Sequence, residues 1–332
     1  MPRFLGDCVN CTASIELLRT YYPGATFYLV MQDYLRPLFD LDNDIKCIVD
    51  NRKNGKVKGT HLLVKVLKEV EADIAILFTN KLVDALIAKL ARIPRRIGYD
   101  TEMRSTLLTD SLKFDKCRHY INRYAYLANR ACNDNLSKLP SVKLNFDSSL
   151  SNIGENHLAI GFSILSPEKT SRHFPVESTI ATIELLKKKL KVPFEIYMFG
   201  SANEHREAEK VTQHVRLQKN CQIHNLAGQR SIPELISDIA SVDILITADS
   251  GPLHIASATN TNTVALHTKG TSAFSMVCPK GQHVVTVSSR GGFIRDNDQV
   301  IDLLPEDVVN AVVSLVESTT TLQSANNISS IG

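Results

Sequence analysis

Val242-Asp-Ile-Leu-Ile-Thr-Ala-Asp-Ser-Gly-Pro-Leu-His-Ile-Ala-Ser-Ala258 is the stretch that decides how the rest of the chain is read. Ile244–Thr247 is a short apolar run of the length of a buried strand. Asp249-Ser250-Gly251 is turn chemistry. Pro252 falls where a first helical residue is favoured, because its missing N–H would have no intrahelical acceptor there. Leu253, Ile255, Ala256 and Ala258 carry the pattern on as a helix. Strand, tight turn and helix place Ser250, Gly251 and His254 at a helix start, whose open amides and positive dipole end suit a phosphate. An ordinary βα turn of a sheet protein is the alternative.

The same alternation extends in both directions. Toward the amino end, Thr26–Met31, Lys46–Val49, Asp73–Phe78 and Arg96–Tyr99 read as strands. Cys8–Tyr21, Val57–Val70, Leu82–Leu90 and Lys116–Asn129 read as helices. Pro2–Asp7 looks like the end of a strand and its turn, with the strand itself missing. Residues 133–156, rich in Asn, Ser and Asp with Pro140, read as an interdomain linker. Beyond it, His157–Phe162 and Phe194–Phe199 read as strands, and Ile180, Ile183, Leu186 and Leu190 as one helix face. Glu204–Val215 reads as a helix, and Ser231-Ile232-Pro233-Glu234 as a capping box. Strands Thr263–His267 and His283–Val287 and a helix Glu306–Val316 follow, with a frayed Ser/Thr/Asn-rich end over 318–332. Strands alternating with helices predict parallel βαβ units. The architecture expected is two doubly wound α/β domains facing a central cleft, with ligands at the carboxyl ends of the strands.

Composition fits this plan. The 332 residues are 43% hydrophobic and 22% charged, which suits a folded core rather than disorder. The net charge of +3 is uneven: residues 1–155 are basic and the remainder slightly acidic, so the first half is the better candidate for an anionic partner. Aromatic-interleaved basic stripes are absent, which argues against nucleic acid. Seven cysteines without a disulfide framework read as reduced thiols of a cytoplasmic protein. Cys8 and Cys11 are spaced Cys-x-x-Cys, but no second pair completes a zinc site. No signal peptide or membrane-length apolar run is visible.

No Gly-x-Gly-x-x-Gly follows a first strand, no Gly-x4-Gly-Lys-Ser/Thr exists, and no Gly-x-Ser-x-Gly elbow appears. Asp42-Asn43-Asp44 and Asp296-Asn297-Asp298 resemble the Asp-x-Asp metal clamp of some nucleotide-sugar enzymes, although such triplets are common in polar loops. No metal site is expected. Lys187–Lys189 with Lys191 reads as a solvated helix face, with a membrane-surface role as the alternative.

Several stretches together resemble one family. Phe4-Leu5-Gly6-Asp7, Arg96-Ile97-Gly98-Tyr99, Arg104-Ser105-Thr106-Leu107-Leu108-Thr109, Arg172-His173-Phe174-Pro175, Leu226-Ala227-Gly228 and Asp249-Ser250-Gly251-Pro252-Leu253-His254-Ile255-Ala256 are similar, in order and spacing, to the lipopolysaccharide heptosyltransferases of glycosyltransferase family nine. The match runs to about residue 316, and the Arg-Ile-Gly-Tyr and Leu-Leu-Thr elements look more like the type II enzymes than type I. The resemblance implies a GT-B fold of two Rossmann-like domains: residues 1–150 binding the acceptor, 151–317 binding ADP-heptose, and 318–332 a flexible tail.

It also implies an inverting transfer of heptose to the inner core of lipopolysaccharide, with no cofactor required and peripheral contact at the inner face of the inner membrane. Asp7 matches the family's catalytic aspartate in position, as the base that takes the acceptor's proton; a helix N-cap is its structural alternative. Arg172 matches the basic residue set against the phosphates, and Asp249, Ser250, Gly251 and His254 the phosphate-binding turn. A surface Arg packed over Phe174, and a helix-start His satisfied by backbone, are the plain alternatives. Glu204 is the candidate for the ribose hydroxyls, or else a solvated helix-start acid.

Three departures stand out. The strand usual ahead of Pro2 is absent, which should leave ladder groups unpaired. Gly161-Phe162-Ser163-Ile164-Leu165 replaces an Asn-Pro-Gly-Ala stretch. His267-Thr268-Lys269-Gly270 replaces Phe-Gly-Pro-Thr and offers Lys269 as a phosphate contact. Another GT-B transferase with a different nucleotide sugar, or a non-catalytic descendant of the fold, are the rival readings.

Overall fold

The computed structural model describes residues 1–135, 138–154, 156–165, 174–216, 222–267, 274–279, 281, 283–288 and 303–329. The chain forms two compact units, Met1–Asn145 and Phe146–Gly332.

The first unit runs α1 (Leu5–Asn10), α2 (Thr12–Tyr21), β1 (Phe27–Met31), β2 (Ile45–Val49), α3 (Lys56–Val70), β3 (Ile74–Ile76), α4 (Leu82–Leu90), β4 (Arg95–Tyr99), β5 (Asp110–Leu112) and α5 (Tyr120–Ala131). β1 and β2 pair in parallel, Phe27 opposite Ile45 through Met31 opposite Val49. β3, β4 and β5 form a second parallel ladder. These are two separate sheets. Leu63 and Leu67, one helical turn apart on α3, are buried together with Ile87 and Ala88 of α4. Leu17, Leu18, Ile97, Leu127 and Ala128 form a further core cluster.

The amino end departs from expectation in one respect. Leu5–Asp7 is not the turn after a strand: the helix already starts at Leu5, capped by the extended Phe4. The Met1 amine donates to Val30 O at 2.8 Å. Cys8 and Cys11 are fully buried, and burial pushes the Cys8 thiol up to about 12. That is the reverse of a reactive thiolate. Arg19 sits among Glu16, Asp42 and Asp44, its Nη2 2.8 Å from Asp42 Oδ1 and its Nε 2.6 Å from Asp44 Oδ2. A guanidinium thus already supplies the positive charge at the first Asp-x-Asp triplet. The second, Asp296–Asp298, lies outside the described residues.

The second unit runs β6 (Leu158–Ser163), α6 (Val176–Lys189), β7 (Phe194–Met198), α7 (His205–Arg216), β8 (Gln222–Asn225), α8 (Ile232–Ser241), β9 (Ile244–Ala248), α9 (Gly251–Thr259), β10 (Asn262–His267), α10 (Phe274–Val277), β11 (Val284–Ser288) and α11 (Pro305–Ser329). Its six strands are parallel, in the spatial order β8-β7-β6-β9-β10-β11. Counted within the unit this is 3-2-1-4-5-6, the Rossmann order, with the reversal between β6 and β9. All five residues of β9 are buried, as expected of a strand covered on both faces. Ile244 and Ile246 each contribute about 1.5–3 kcal/mol by that burial. Gly161 in β6 is a packing requirement: a Cβ there would lie 2.8 Å from Phe199 Cε2 and 3.0 Å from Leu245 Cδ1.

Both arms of the Ser231–Glu234 capping box are formed. Buried Asp238 on α8 accepts from Arg230 Nε at 2.7 Å, Ser151 Oγ at 3.1 Å and Asn152 N at 3.0 Å. Ser237 Oγ donates to Asp147 O at 2.7 Å. The chain just past Phe146 is thereby fastened to α8. The final helix continues well past Val316, to Ser329. No Gly or Pro interrupts Glu306–Ser329, and Ser, Thr and Asn are only mildly unfavourable in a helix. Among the described residues no helix is long and apolar enough to cross a membrane.

Candidate functional site

The site residues fall into two groups, one in each unit. In the first, Asp7 occupies the third position of α1. It is therefore not the N-cap, the structural role that was its alternative. The Tyr124 hydroxyl, carried by α5, donates to Asp7 Oδ1 at 3.1 Å. Tyr124 is fixed by an edge-to-face contact with Phe78, centroids 5.5 Å apart. Burial first, and then the electrostatics of Cys11 and Asp7, push its phenol well above the ordinary tyrosine range, so it remains a proton donor to the carboxylate. Asp7 also lines a cavity of about 480 Å³ that Phe4, Gln32, Phe78, Thr79 and Lys81 help to enclose. Nothing in the sequence pairs Tyr124 with Asp7, since 117 positions separate them.

Two of the family-like stretches in this unit are each other's packing partners. Arg104 is fully buried. Its Nε donates to Tyr99 O at 2.8 Å, and its Nη1 to Thr79 O at 2.7 Å and Lys81 O at 3.2 Å. A Cβ on Gly98 would meet Arg104 Nη2 at 3.2 Å and the Leu108 methyls at 3.3 Å. Arg96 Nε donates to Leu107 O at 2.8 Å, and Thr109 Oγ1 accepts from Arg96 N at 2.7 Å. The pattern Arg-Ile-Gly-Tyr with Arg-Ser-Thr-Leu-Leu-Thr thus fixes the loops at the carboxyl ends of β3 and β4.

In the second unit the stretch from Val242 folds as its residues require: β9, the turn Asp249-Ser250, then α9 from Gly251 with Pro252 in its first turn. Ser250 is the N-cap, extended at φ −149° and ψ 179°, and its side chain makes no capping bond. Its Oγ instead turns back to Ala248 O at 3.2 Å. The Ser250 side chain thus leaves the first-turn amides uncapped, at the end of the helix where an anion gains most. His254 and Asp249 are both buried, Nε2 3.9 Å from Oδ1. His267, at the carboxyl end of neighbouring β10, was not singled out in the sequence. Burial holds it below the usual histidine range against the opposing pull of Asp249. Thr247 Oγ1 donates to Ser163 O at 3.1 Å, tying the carboxyl end of β9 to that of β6. The turn stands at the point where the strand order reverses, where open α/β sheets bind ligands.

Glu204 lies elsewhere on the same edge, after β7. Its Oε2 accepts from Ser201 N, closing a capping box ahead of α7. That bond is the one expected of a helix-start acid. Gly228 N donates to Gly200 O at 2.8 Å. At Gly228 (φ +72°) a Cβ would lie 2.6 Å from Ala202 Cα, so Leu226-Ala227-Gly228 packs this turn against its neighbour. Asp249, Ser250, Gly251 and His254 are brought together in one turn. Arg172 and Lys269 lie outside the described residues.

The fold is that of the GT-B glycosyltransferases, built from α/β units with parallel sheets. A family model described as glycosyltransferase family 9 (heptosyltransferase) matches residues 60–291. The chain belongs to that family. It is 26% identical to the lipopolysaccharide heptosyltransferase 2 of Salmonella typhimurium, over 95% of this chain and 97% of that protein. It is also 26% identical, over the same shares, to the lipooligosaccharide heptosyltransferase 2 of Haemophilus ducreyi. Among solved structures, the ADP-heptose LPS heptosyltransferase II of E. coli superimposes with a TM-score of 0.79 at 22% identity, covering 96% of this chain and 98% of that one. A family 9 glycosyltransferase from Veillonella parvula does so with a TM-score of 0.80 at 18% identity, covering 95% of each.

Proposed function

We propose that this protein transfers heptose from ADP-heptose to the inner core of lipopolysaccharide with inversion at the anomeric carbon. The observation that carries the reading is the start of α9 at the strand-order reversal, where the Ser250 side chain makes no capping bond, in the segment Asp249-Ser250-Gly251-Pro252-Leu253-His254. It supplies preorganised donors where the leaving ADP gains negative charge. Arg172 and Lys269 add positive charge to the diphosphate in this reading, and Glu204 meets the ribose through its oxygen that is not bound to Ser201.

The acceptor hydroxyl attacks the anomeric carbon from the side opposite ADP. The new C–O bond forms as the bond to the phosphate oxygen breaks, and ADP departs with that electron pair. Asp7 takes the hydroxyl proton, and Tyr124 orients its carboxylate. No metal or other cofactor enters the scheme. An acceptor built on lipid A draws the protein to the inner face of the inner membrane.

The test is a panel of nucleotide sugars with nucleotide release as readout, with and without acceptor. ADP released from ADP-heptose, and negligible turnover of UDP- or GDP-sugars, is the expected result. Equal turnover of another donor overturns the choice of sugar. Binding of ADP without any transfer overturns the enzymatic reading.

A further inference from the structure

One side of α4 carries an apolar row that its own unit does not cover. Leu82, Leu86 and Leu90 recur every fourth residue, so they share one side of the helix. They are 42%, 39% and 49% exposed, whereas Ala85, Ile87 and Ala88 are buried. Ile87 and Ala88 are what α4 gives to the core around Leu63 and Leu67. Three half-exposed leucines in one row go beyond the singly scattered apolar side chains of an ordinary surface.

The adjoining loop adds a fourth apolar side chain. Glu102 and Met103 both take left-handed backbone, at φ +47° and +55°, a region that long side chains rarely enter. The loop is pinned to the start of α4 on both sides of Met103. Glu102 Oε2 accepts from Leu82 N at 2.7 Å, and Thr101 Oγ1 donates to Asn80 O at 2.9 Å. Buried Arg104 donates to Thr79 O and Lys81 O. Met103 itself is 90% exposed. Strained backbone held by so many bonds, around a side chain that packs on almost nothing in its own unit, points to a contact outside the chain.

The charge beside the row is positive. Lys81, Lys89 and Arg92 are all exposed. The single acid of α4, Asp84, is turned inward and accepts from Arg52 Nη1 at 2.6 Å. Leucines flanked by cations fit an interface of acyl chains and anionic headgroups. A second copy docked by the same face would set these three cations against their own equivalents. The face also adjoins the candidate acceptor site, because Lys81, Asp84, Ile87 and Ala88 line the cavity that Asp7 lines.

The lysines of α6 lack this combination. Lys187 Nζ lies 3.1 Å from Glu184 Oε1 and Lys189 Nζ 2.6 Å from Asn310 Oδ1. Among the described residues no large hydrophobic side chain of α6 is exposed.

We propose that the Leu82–Leu86–Leu90 row of α4, with Met103 and the cations Lys81, Lys89 and Arg92, is the surface by which this protein docks on an anionic phospholipid bilayer. The leucines and Met103 enter the headgroup boundary, and the cations meet lipid phosphates. The inference rests on the transferase reading for its lipid-linked acceptor.

The chain has no tryptophan, so Leu86→Trp places a single fluorescent reporter in the row. The probe is vesicles of phosphatidylcholine with about one-third phosphatidylglycerol, and pure phosphatidylcholine vesicles are the control. Wild-type protein is expected to co-sediment with the anionic vesicles alone, and the emission of L86W to shift to the blue with those vesicles alone. The triple variant Leu86→Gln, Leu90→Gln, Met103→Gln is expected to lose at least about tenfold in vesicle affinity. Lys89→Gln and Arg92→Gln are each expected to lose about fivefold. Lys187→Gln with Lys191→Gln binds as the wild type. Thermal melts of the variants match the wild type, since the altered α4 and loop side chains are exposed; if the triple variant melts early, Met103→Gln alone is expected to lose about threefold. Failure of the wild type to bind, wild-type affinity in the triple variant, an unmoved L86W spectrum on bound protein, or equal binding to both kinds of vesicle overturns the proposal. So does a dimer that the triple variant abolishes in a protein that binds no vesicles, which identifies a second copy as the occupant. Sugar donor and acceptor are absent from the test. Vesicle binding by a protein that turns over no ADP-heptose therefore removes the transferase reading and leaves the docking surface, and turnover without vesicle binding does the reverse.

Discussion

The Tyr124 hydroxyl donates to Asp7 Oδ1 across 3.1 Å, joining the one carboxylate assigned a proton-transfer role to a phenol that burial keeps protonated. A hydrogen bond to the charged form of an acid favours that form. Removing it with Tyr124→Phe is expected to lower kcat about fivefold with little change in KM. The acidic limb of the pH–rate profile moves to higher pH, because the carboxylate then holds its proton more tightly. A variant that loses stability but keeps the wild-type profile shows Tyr124 to be packing alone.

Asp7→Asn keeps the shape of the side chain and removes the base. The expected loss in kcat is about 10²–10⁴-fold, with ADP affinity, measured by calorimetry, unchanged. Wild-type transfer by this variant removes Asp7 from the mechanism.

The Arg104 side chain bonds three backbone carbonyls in a fully buried setting. Arg104→Met leaves those carbonyls without their donors and is expected to cost about 3 kcal/mol in urea unfolding. Gly98→Ala inserts a methyl 3.2–3.3 Å from Arg104 and Leu108, and is expected to cost about 1–2 kcal/mol. Because the two residues touch, the double variant should lose less than the sum.

Burial lowers the proton affinity of His267 and His283 in the folded state. The unfolded chain therefore binds more protons than the native one once the pH falls below about 6.5. Stability from these two rings is fully present above that value and declines as the pH drops through the interval down to their folded pKa values. Thermal melts between pH 5 and 8 are expected to show this fall, and His267→Gln to flatten it. A wild-type Tm that is constant across the range contradicts the assignment.

Much of this was legible in residue patterns because the decisive strands are apolar and β-branched. Ile244-Leu-Ile-Thr-Ala248 and Phe27-Tyr-Leu-Val-Met31 could be read directly, as could the Pro252 helix start and the Ser231 capping box. β5 and β8 were not, because Asp110-Ser-Leu112 and Gln222-Ile-His-Asn225 are short and polar, with no period to detect. Asp7 and the Asp249–His254 turn were picked out as candidates from local motifs. Tyr124 and His267 depend on tertiary neighbours, and no local signal marks them. The partnership of Gly98 with Arg104 was visible only as two recurring strings whose common cause is one buried guanidinium.

Cys8 and Cys11 lie beneath the α1 turn that carries Asp7, both shut off from solvent, and the Cys8 thiol also donates to Pro2 O at 3.3 Å. With its ionisation pushed up to about 12, Cys8 cannot meet a maleimide until the segment from Met1 to Cys11 swings out. Exposed Cys117 reacts at once and calibrates the reagent. Alkylation of the hidden pair is therefore a stopwatch for that segment, and it reports how long the α1 turn that carries Asp7 stays closed between openings.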